Sequence, residues 1–458
     1  MDAQGAVNHP IRPGEVEAIG LPKIDLLGIR ALTVLAATAK WVRQHADPDF
    51  RLDAIPLEDE KTAVLLAMGD TIGVFQCEST GARRTLRQLQ ARTVQDLAVA
   101  NAFFKPGPAT GGMAASFVRR YRGEEEVTYL HPALEPILGP TKGVLLFQEQ
   151  VLRVAHTLAG LSWLEADSLR KGMSKFQPEA MERMRSRFIE GCQRPAPLGP
   201  AFTLEQATTL WEQVRAFAGY GFNQGHATAY ADVSYRSAWL KAHYPAAFLA
   251  ARLANYGGFH HPAIYMAEAQ RLGVPVRPPH INHSRCHVAL AFADRDPTRP
   301  ILWIGLTQVR SLRRSTIAAI LTQRKVQSFT SLADLRERIA VQPKELTHLI
   351  QCGALDGLGE SRAALLAAAQ EKHKAANAWQ LAFDFSAPVI EPESTVQRLQ
   401  WERQILGQPV SVHPVTRLAT ADAGCSTFAQ AIAQPGRRLP LALTRLPGWI
   451  SGKGFCRR

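Results

Sequence analysis

The sequence holds only six cysteines, at positions 77, 192, 286, 352, 425 and 456, and no two of them form a Cys-x-x-Cys pair. That spacing excludes a disulfide scaffold and the commonest structural zinc sites, which need thiolate pairs or a cysteine–histidine set at fixed intervals. His283 and His287 flank Cys286, but three ligands without a fourth do not complete a tetrahedral site, so the six read as reduced thiols of a cytosolic protein. No apolar run reaches the roughly 18 to 20 residues that a membrane span requires. Residues 1–13 carry no apolar signal core, and the expectation is a cytoplasmic chain with no membrane partner. Acid is scarce as well: 40 Asp and Glu face 53 Lys and Arg, a formal net charge of +13. An excess of that size points to a polyanionic partner, most commonly nucleic acid, although a basic surface that binds nothing stays open on composition alone.

Hydrophobic residues make up 46% of the 458 and charged residues 20%, which describes a globular chain with room for roughly two to four domains. The cations cluster. Arg83, Arg84, Arg87, Arg92, Lys105, Arg119, Arg120 and Arg122 stand against Asp96 alone, until a run of three glutamates begins at Glu124.

The most informative stretch is Gly219-Tyr-Gly-Phe-Asn-Gln-Gly-His-Ala-Thr-Ala-Tyr230. Its glycines leave backbone exposed, and Phe222, His226 and Tyr230 recur four apart, so a helix starting near Gln224 carries three flat rings on one face. Rings beside bare backbone suit a planar, phosphorylated ligand such as a nucleotide; the same stripe also packs an ordinary core. Amphipathic segments at 60–68, 94–104, 148–158, 178–190, 204–217 and 234–243, separated by proline and glycine breakers, predict a mainly helical domain from about 57 to about 275. Pro106-Gly-Pro108 makes a rigid corner that either presents Lys105 to a phosphate or is purely structural. Arg170-Lys171, with Lys175 one turn on, is a phosphate grip or a solvated basic face. Asp25 is an isolated carboxylate in the strand-like stretch 20–30, ahead of an apolar helix from Ala31 to about Val42, and is open to reading as a cap or salt-bridge partner. Asp47-Pro-Asp49 reads as a turn.

Residues 277–296 are rich in Pro, His and Asn and read as a linker. Beyond it, 303–321 and 346–366 each read as helix, tight turn, helix, the second around Gly357-Leu-Gly359 and the first around Ser311-Leu-Arg313. Glycines at such a turn let backbone amides approach a phosphate. Where they are missing, Arg310, Arg313 and Arg314 remain as point charges. Gln380-Leu-Ala-Phe-Asp-Phe385 combines a glutamine with apolar and aromatic anchors, a pattern suited to a groove-binding peptide.

Taken with Gly73-Val-Phe-Gln-Cys-Glu-Ser79, Phe104-Lys-Pro-Gly-Pro108, Gly143-Val-Leu-Leu-Phe-Gln-Glu-Gln150 and Ala166-Asp-Ser-Leu-Arg-Lys-Gly-Met173, the ring stretch resembles the catalytic (alpha) subunit of bacterial DNA polymerase III. The resemblance runs from about Gly20 to about Pro414. It implies a mainly α fold with a small α/β remnant: the end of the palm (1–48), helical fingers (49–276), a tandem helix-hairpin-helix domain (277–379), a clamp-binding peptide and linker (380–414), and an incomplete β, OB-like segment (415–458). By the same resemblance Asp25 takes the place of a metal-binding carboxylate, with Lys23 near the triphosphate or primer end. Lys105, Arg170, Lys171 and Lys175 hold the nucleotide's triphosphate, while Gly221, Phe222, Asn223, His226 and Tyr230 shape the pocket for base and sugar. Gln148 and Glu149 stand behind that pocket as supporting groups. Arg83, Arg84, Arg310, Arg313, Gly357 and Gly359 face DNA; Gln380, Leu381, Phe383 and Phe385 dock into the ring-shaped sliding clamp.

The implied ligands are primed DNA, a deoxynucleoside triphosphate and Mg2+ in a two-metal site that is incomplete in this chain. The family's Asp-x-Asp pair, normally well upstream of the position of Asp25, is not in the sequence. Activity is therefore expected when a separate polypeptide or a longer parent chain supplies the rest of the palm. The competing expectation is a non-catalytic module that binds DNA and the clamp.

Overall fold

A computed structural model of the chain describes residues 28–103, 113–175, 178–217, 222–255, 258–293, 296, 299–359, 361–375 and 390–412. Helix α1 (Arg30–His45) buries Val34, Leu35, Ala39 and Val42, a stripe at helical spacing. It ends in a turn in which Asp49 N donates to Asp47 Oδ1 at 3.1 Å, so Asp47-Pro-Asp49 is a turn as expected. Three helices follow: α2 (Glu60–Ala67), α3 (Thr80–Leu89) and α4 (Val94–Phe103). The first two are opened by side-chain caps, with Asp59 accepting from Thr62 N at 2.8 Å and Ser79 from Ala82 N at 3.1 Å. Helix α4 is not the amphipathic helix that its sequence suggests. Leu97 to Phe103 are all buried, because α3 and a later central helix cover both of its sides.

After α5 (Met113–Tyr121) and the short α6 (Glu135–Leu138), α7 (Gln148–Arg153) runs into a π-helical turn at Val154–Leu158. Helices α8 (Trp163–Lys175), α9 (Pro178–Cys192) and α10 (Leu204–Ala216) pack on it around Phe188, Trp211 and Leu210. The 20-residue helix α11 (Gln224–His243) then crosses the molecule, turning Ala227, Ala231, Tyr235 and Ala238 into a core shared with α4. Every helix expected from periodicity between 57 and 275 is present, with ends shifted by no more than a few residues and 234–243 forming the second half of α11.

Helices α12 (Pro245–Ala254) and α13 (Pro262–Arg271) lead to a three-stranded sheet of β1 (Val276–Arg277), β2 (Ala289–Phe292) and β3 (Pro300–Trp303). The order is β1-β3-β2, with Leu302 opposite Val276 in the parallel pair and opposite Leu290 in the antiparallel pair. The stretch 277–296 is thus not an open linker. Its histidines pack: His283 stacks on Trp303 with ring centroids 4.8 Å apart, and fully buried Ser284 donates to Ile304 O at 2.6 Å. One hydrophobic core takes in α1, α12, α13, the sheet and Val410.

A last helical group comprises α14 (Arg314–Val326), α15 (Leu332–Arg338), α16 (Pro343–Gln351), α17 (Arg362–Ala375) and α18 (Thr395–Leu406). The helix expected before the first hairpin is a single 3-10 turn, Leu306–Gln308, preceded by β3. The chain at α18, expected as linker, folds back as a helix that seats Ile405 in the hairpin core, and the expected OB-like segment 415–458 lies outside the described residues. Cys77, Cys192 and Cys352 are buried and free, and burial pushes their thiols up to about 12, which leaves them inert at neutral pH. Among the described residues no helix is long and apolar enough to cross a membrane.

Candidate functional site

The start of α11 is fixed from three sides. Phe222 makes a parallel bridge to Phe147, its N donating to Leu146 O at 3.4 Å while Gln148 N donates to Phe222 O at 3.0 Å. Asn223 caps the helix, accepting from His226 N at 2.7 Å, and Glu149 accepts from Gln224 N at 2.8 Å. The ring stretch and the stretch 143–150 therefore hold each other. On this frame His226 stands 4.0 Å from Tyr230 and 5.6 Å from Phe222, centroid to centroid, and Tyr230 meets Phe75 at 5.3 Å. His226 is exposed and Phe222 and Tyr230 are half-exposed. The alanine side of the helix fills the core, with Phe222 partly buried against it and His226 left exposed.

Opposite the rings lies the stretch 73–79, tied to α11 by Ser234 Oγ donating to Phe75 O at 2.8 Å. Its backbone bends twice through the left-handed region, at Gly73 (φ +89) and at Gln76 (φ +59). A Cβ at Gly73 would stand 3.0 Å from Phe248 Cε1, so glycine answers both the conformation and the close approach. Buried Glu78 braces the loop, accepting from Gly73 N at 2.9 Å, Tyr265 Oη at 2.8 Å and Arg252 at 2.6 Å. Burial and the charge of Glu78 push the Tyr265 hydroxyl up to about 12. Burial works against the Arg252 guanidinium, but Glu78 and Tyr265 together prevail over it and raise it above its ordinary value. Between the loop, the start of α1 and Tyr230, with neither Phe222 nor His226 among its lining residues, is a cavity of about 710 Å³ lined by Gly28, Arg30, Phe75, Gln76, Tyr230 and Arg252, among others.

Of the residues singled out in the sequence, Lys23, Asp25, Lys105, Gly221, Gln380, Leu381, Phe383 and Phe385 lie outside the described residues, as do the side chains of Lys171 and Lys175. Arg170 is on α8, donating to Asp167 Oδ1 through two nitrogens at 3.0 and 2.8 Å. Four arginines of the basic run from 79 to 123 are matched by acids. Arg92 pairs with Glu60 at 2.6 Å, Arg120 and Arg119 with Glu125 at 2.8 Å, and Arg122 with Glu124 at 2.9 Å. A hydrogen bond from Ser116, then those from Arg120 and Arg119, hold the Glu125 carboxyl down at about 2. Arg83 donates to Gly69 O at 2.8 Å. The exposed side chains of Arg84 and Arg87 form no hydrogen bond or ion pair with described residues.

The two hairpin turns share one geometry. Leu358 N donates to Leu355 O at 3.0 Å around Gly357 (φ +85), and Leu312 N donates to Val309 O at 3.3 Å around Ser311 (φ +62). A serine therefore occupies the left-handed conformation that glycine holds in the second copy. Arg313, expected as a point charge, is instead tied to buried Glu345, which accepts from its Nε at 3.0 Å, its NH2 at 3.0 Å and its backbone N at 2.8 Å. Arg310 is exposed and its side chain has no described partner. Sequence reasoning missed Glu78, Arg252, Glu345 and Glu402. For Glu402 the available signal was slight, a single acid in the helix Thr395–Leu406, as in Gln-Trp-Glu402-Arg-Gln-Ile.

The bacterial DNA polymerase III alpha subunit finger domain matches residues 31–195, and a helix-hairpin-helix motif matches 273–365. The DNA polymerase III alpha subunit of Halalkalibacterium halodurans is 35% identical over 419 residues, covering 87% of this chain and 36% of the relative. That of Thermus aquaticus is 35% identical over 450 residues (93% and 36%), and that of Escherichia coli K12 is 34% identical over 444 (89% and 37%). The chain spans a little over a third of the length of these relatives. With the finger and hairpin matches in the order in which the structure lays out its helices, and the identity spread over most of its length, the chain belongs to the bacterial DNA polymerase III alpha-subunit family.

Proposed function

We propose that the chain forms the nucleotide-receiving and DNA-holding part of a template-directed DNA polymerase of the bacterial cytoplasm, extending a primer in replication or repair. The observation that carries this reading is the exposed ring face at the start of α11, locked against the loop at 73–79 over a cavity that Gly28, three residues after Asp25, also lines. The reaction is an in-line displacement: the primer 3' oxygen forms a bond to the α-phosphorus, the bond to pyrophosphate breaks, and the hydroxyl proton leaves to a base or solvent. Phe222, His226 and Tyr230 offer stacking faces to the base, and Gly221 and Asn223 bare backbone and an amide to the sugar.

Lys105, Arg170, Lys171 and Lys175 take the triphosphate, with Lys23 beside it or at the primer end. The Arg170–Asp167 pair does not oppose this. Both partners are about a third exposed, and such pairs contribute only about 0–1 kcal/mol, so a triphosphate can draw the guanidinium away. The hairpins at Ser311 and at Gly357 and Gly359 take backbone phosphates, with Arg84 and Arg310 as unpaired flanking cations and Arg83 and Arg313 adding charge from the places where Gly69 O and Glu345 hold them.

Mg2+ is the proposed metal, with Asp25 as a ligand, since hard oxygen donors and phosphates favour it. Among the described residues no three or more His, Cys, Asp or Glu side chains gather where a metal ion would fit, and no step is routed through one. A two-metal site needs more than one carboxylate. Primer extension is therefore expected from the chain combined with a polypeptide carrying the Asp-x-Asp palm strand, and Asp25→Asn should abolish it. Silence in every combination, with DNA binding intact, leaves a non-catalytic DNA- and clamp-binding module. Gln380, Leu381, Phe383 and Phe385 are the proposed clamp peptide. Gln380→Ala with Phe385→Ala should remove the clamp from a pull-down without changing affinity for short DNA, and retention of the clamp counts against the assignment.

A further inference from the structure

The stretch 70–79 meets the cavity beside Tyr230 at its middle and is tied down at both ends by α13, none of whose residues lines that cavity. At one end Tyr265 Oη donates to Glu78 Oε2 at 2.8 Å, while Arg252 donates to Glu78 Oε1 at 2.6 Å and lies over the Tyr265 ring, 5.3 Å from its centroid. At the other end Glu268, one turn further along α13, accepts from Lys241 at 2.6 Å and from Arg271 at 2.7 Å. Both of those cations also reach Asp70, Lys241 at its backbone O at 2.7 Å and Arg271 at its carboxylate at 2.6 and 2.7 Å. Glu78, Lys241, Arg252 and Glu268 are all buried. Because Glu78 also accepts from Gly73 N at 2.9 Å, residues 73 and 78 are pinned to each other as well as to the helices.

The pinned loop presents two neighbouring side chains. Phe75 meets the Tyr230 ring at 5.3 Å. Gln76 is exposed, lines the cavity, and holds the left-handed conformation at φ +59. A residue with a Cβ adopts that conformation at a cost, and it persists where the surrounding structure over-determines the backbone, which the ties at Gly73 and Glu78 do here. The Gln76 amide makes no hydrogen bond with a described residue, and it offers two donors and an acceptor, which suit the polar edges of a base or a sugar. The brace is not the arrangement that stability alone would select. Arg252 Nε is buried without an acceptor, and an ion pair out of water returns little unless all its groups are met.

We propose that Tyr265 and Arg252 are positioning residues for the incoming nucleotide: acting through Glu78, they hold loop 73–78 so that Phe75 backs Tyr230 and the Gln76 amide hydrogen-bonds the nucleoside in the cavity. The inference rests on the nucleotide-site reading of that cavity. The test is calorimetry of dATP binding, in Mg2+, to the full chain saturated with a dideoxy-ended primed duplex whose next template base is thymine. Wild type is compared with Tyr265→Phe, Arg252→Lys, Gln76→Gly and the double variant Tyr265→Phe/Gln76→Gly. Each single substitution should weaken dATP roughly threefold to tenfold, the loss of about one hydrogen bond, with affinity for the duplex unchanged. Glycine adopts the left-handed conformation freely, so the loss at position 76 is not one of folding.

In the double variant Tyr265→Phe should weaken dATP no further than Gln76→Gly alone, because no amide is left to position. A merely structural Tyr265 predicts a lowered urea midpoint with dATP affinity unchanged, or losses that multiply in the double variant. Either result overturns the inference and leaves the nucleotide-site reading standing. Arg252→Lys, which keeps a charge beside Glu78, carries the same comparison if Tyr265→Phe does not fold. A wild-type chain that binds the duplex but no dATP overturns both readings.

Discussion

Glu402 has no exposed surface, yet it accepts from Arg362 at 3.1 Å, Val410 N at 2.7 Å and Ser411 N at 2.9 Å. Arg362 is as deeply buried and is also forked onto Asp356 of the second hairpin at 2.8 and 2.7 Å. Such groups are tolerated because Glu402 accepts and Arg362 donates several hydrogen bonds each, and removing one partner of a buried pair typically costs about 3–5 kcal/mol. Glu345 shows the same arrangement with a measurable consequence. Burial pushes its carboxyl up, but hydrogen bonds from the Arg313 side chain and backbone, Gln342 and Thr316 prevail and hold it down at about 2, against an ordinary value of 4.5. A carboxyl depressed on folding contributes stability that is fully present above its unfolded value and lost as pH falls through the folded one. The hairpin group should thus lose on the order of 1–3 kcal/mol between about pH 4.5 and about pH 2, the lower figure allowing for screening at half-exposed Arg313. Urea titrations at a series of pH values check this. Glu345→Gln should be less stable at neutral pH and lack that part of the pH dependence; an unchanged pH profile would refute the attribution.

Among the elements, helices were legible because their causes are local. Ser79, Thr203, Asn223 and Ser394 each accept from a backbone N three residues on, and apolar residues recur at the helical period. The ring face of α11 was legible for the same reason, as Phe222, His226 and Tyr230 are one turn apart. Whether that face lies on the core or at the surface was not: Ala227 and Ala231 take the buried side, which leaves His226 exposed and Phe222 and Tyr230 half-exposed. The sheet was hidden. Its strands are two to four residues long, too short to show a period of two, and β1 and β2 exist only because β3 pairs with both. The first hairpin turn was legible without a glycine, and the flanking Val309 and Leu312 pack and hold Ser311 in it.

Over the whole molecule, the gross count of 53 Lys and Arg overstates how many cations are available. The arginines at 92, 119, 120, 122, 252, 313 and 362 are paired with acids, whereas Arg84, Arg87, Arg310 and Arg314 are not. Affinity for primed DNA should fall with salt at a slope near −0.9 for each phosphate neutralised, roughly −4 to −7 in all. A flat response, read by fluorescence anisotropy between about 0.05 and 0.3 M salt, would show that these cations are not the DNA surface.

Helix positions, their caps, the ring stripe and the family motifs were settled by the sequence alone, since each depends on residues within about a turn of one another. Which cations remain free, and which stretches pair as strands, was decided only when the chain had folded. Charge partners are chosen across long separations, 32 residues for Arg313 and Glu345, 40 for Arg362 and Glu402, and 174 for Arg252 and Glu78. No pattern in the order of amino acids encodes such meetings; desolvation and packing bring them about.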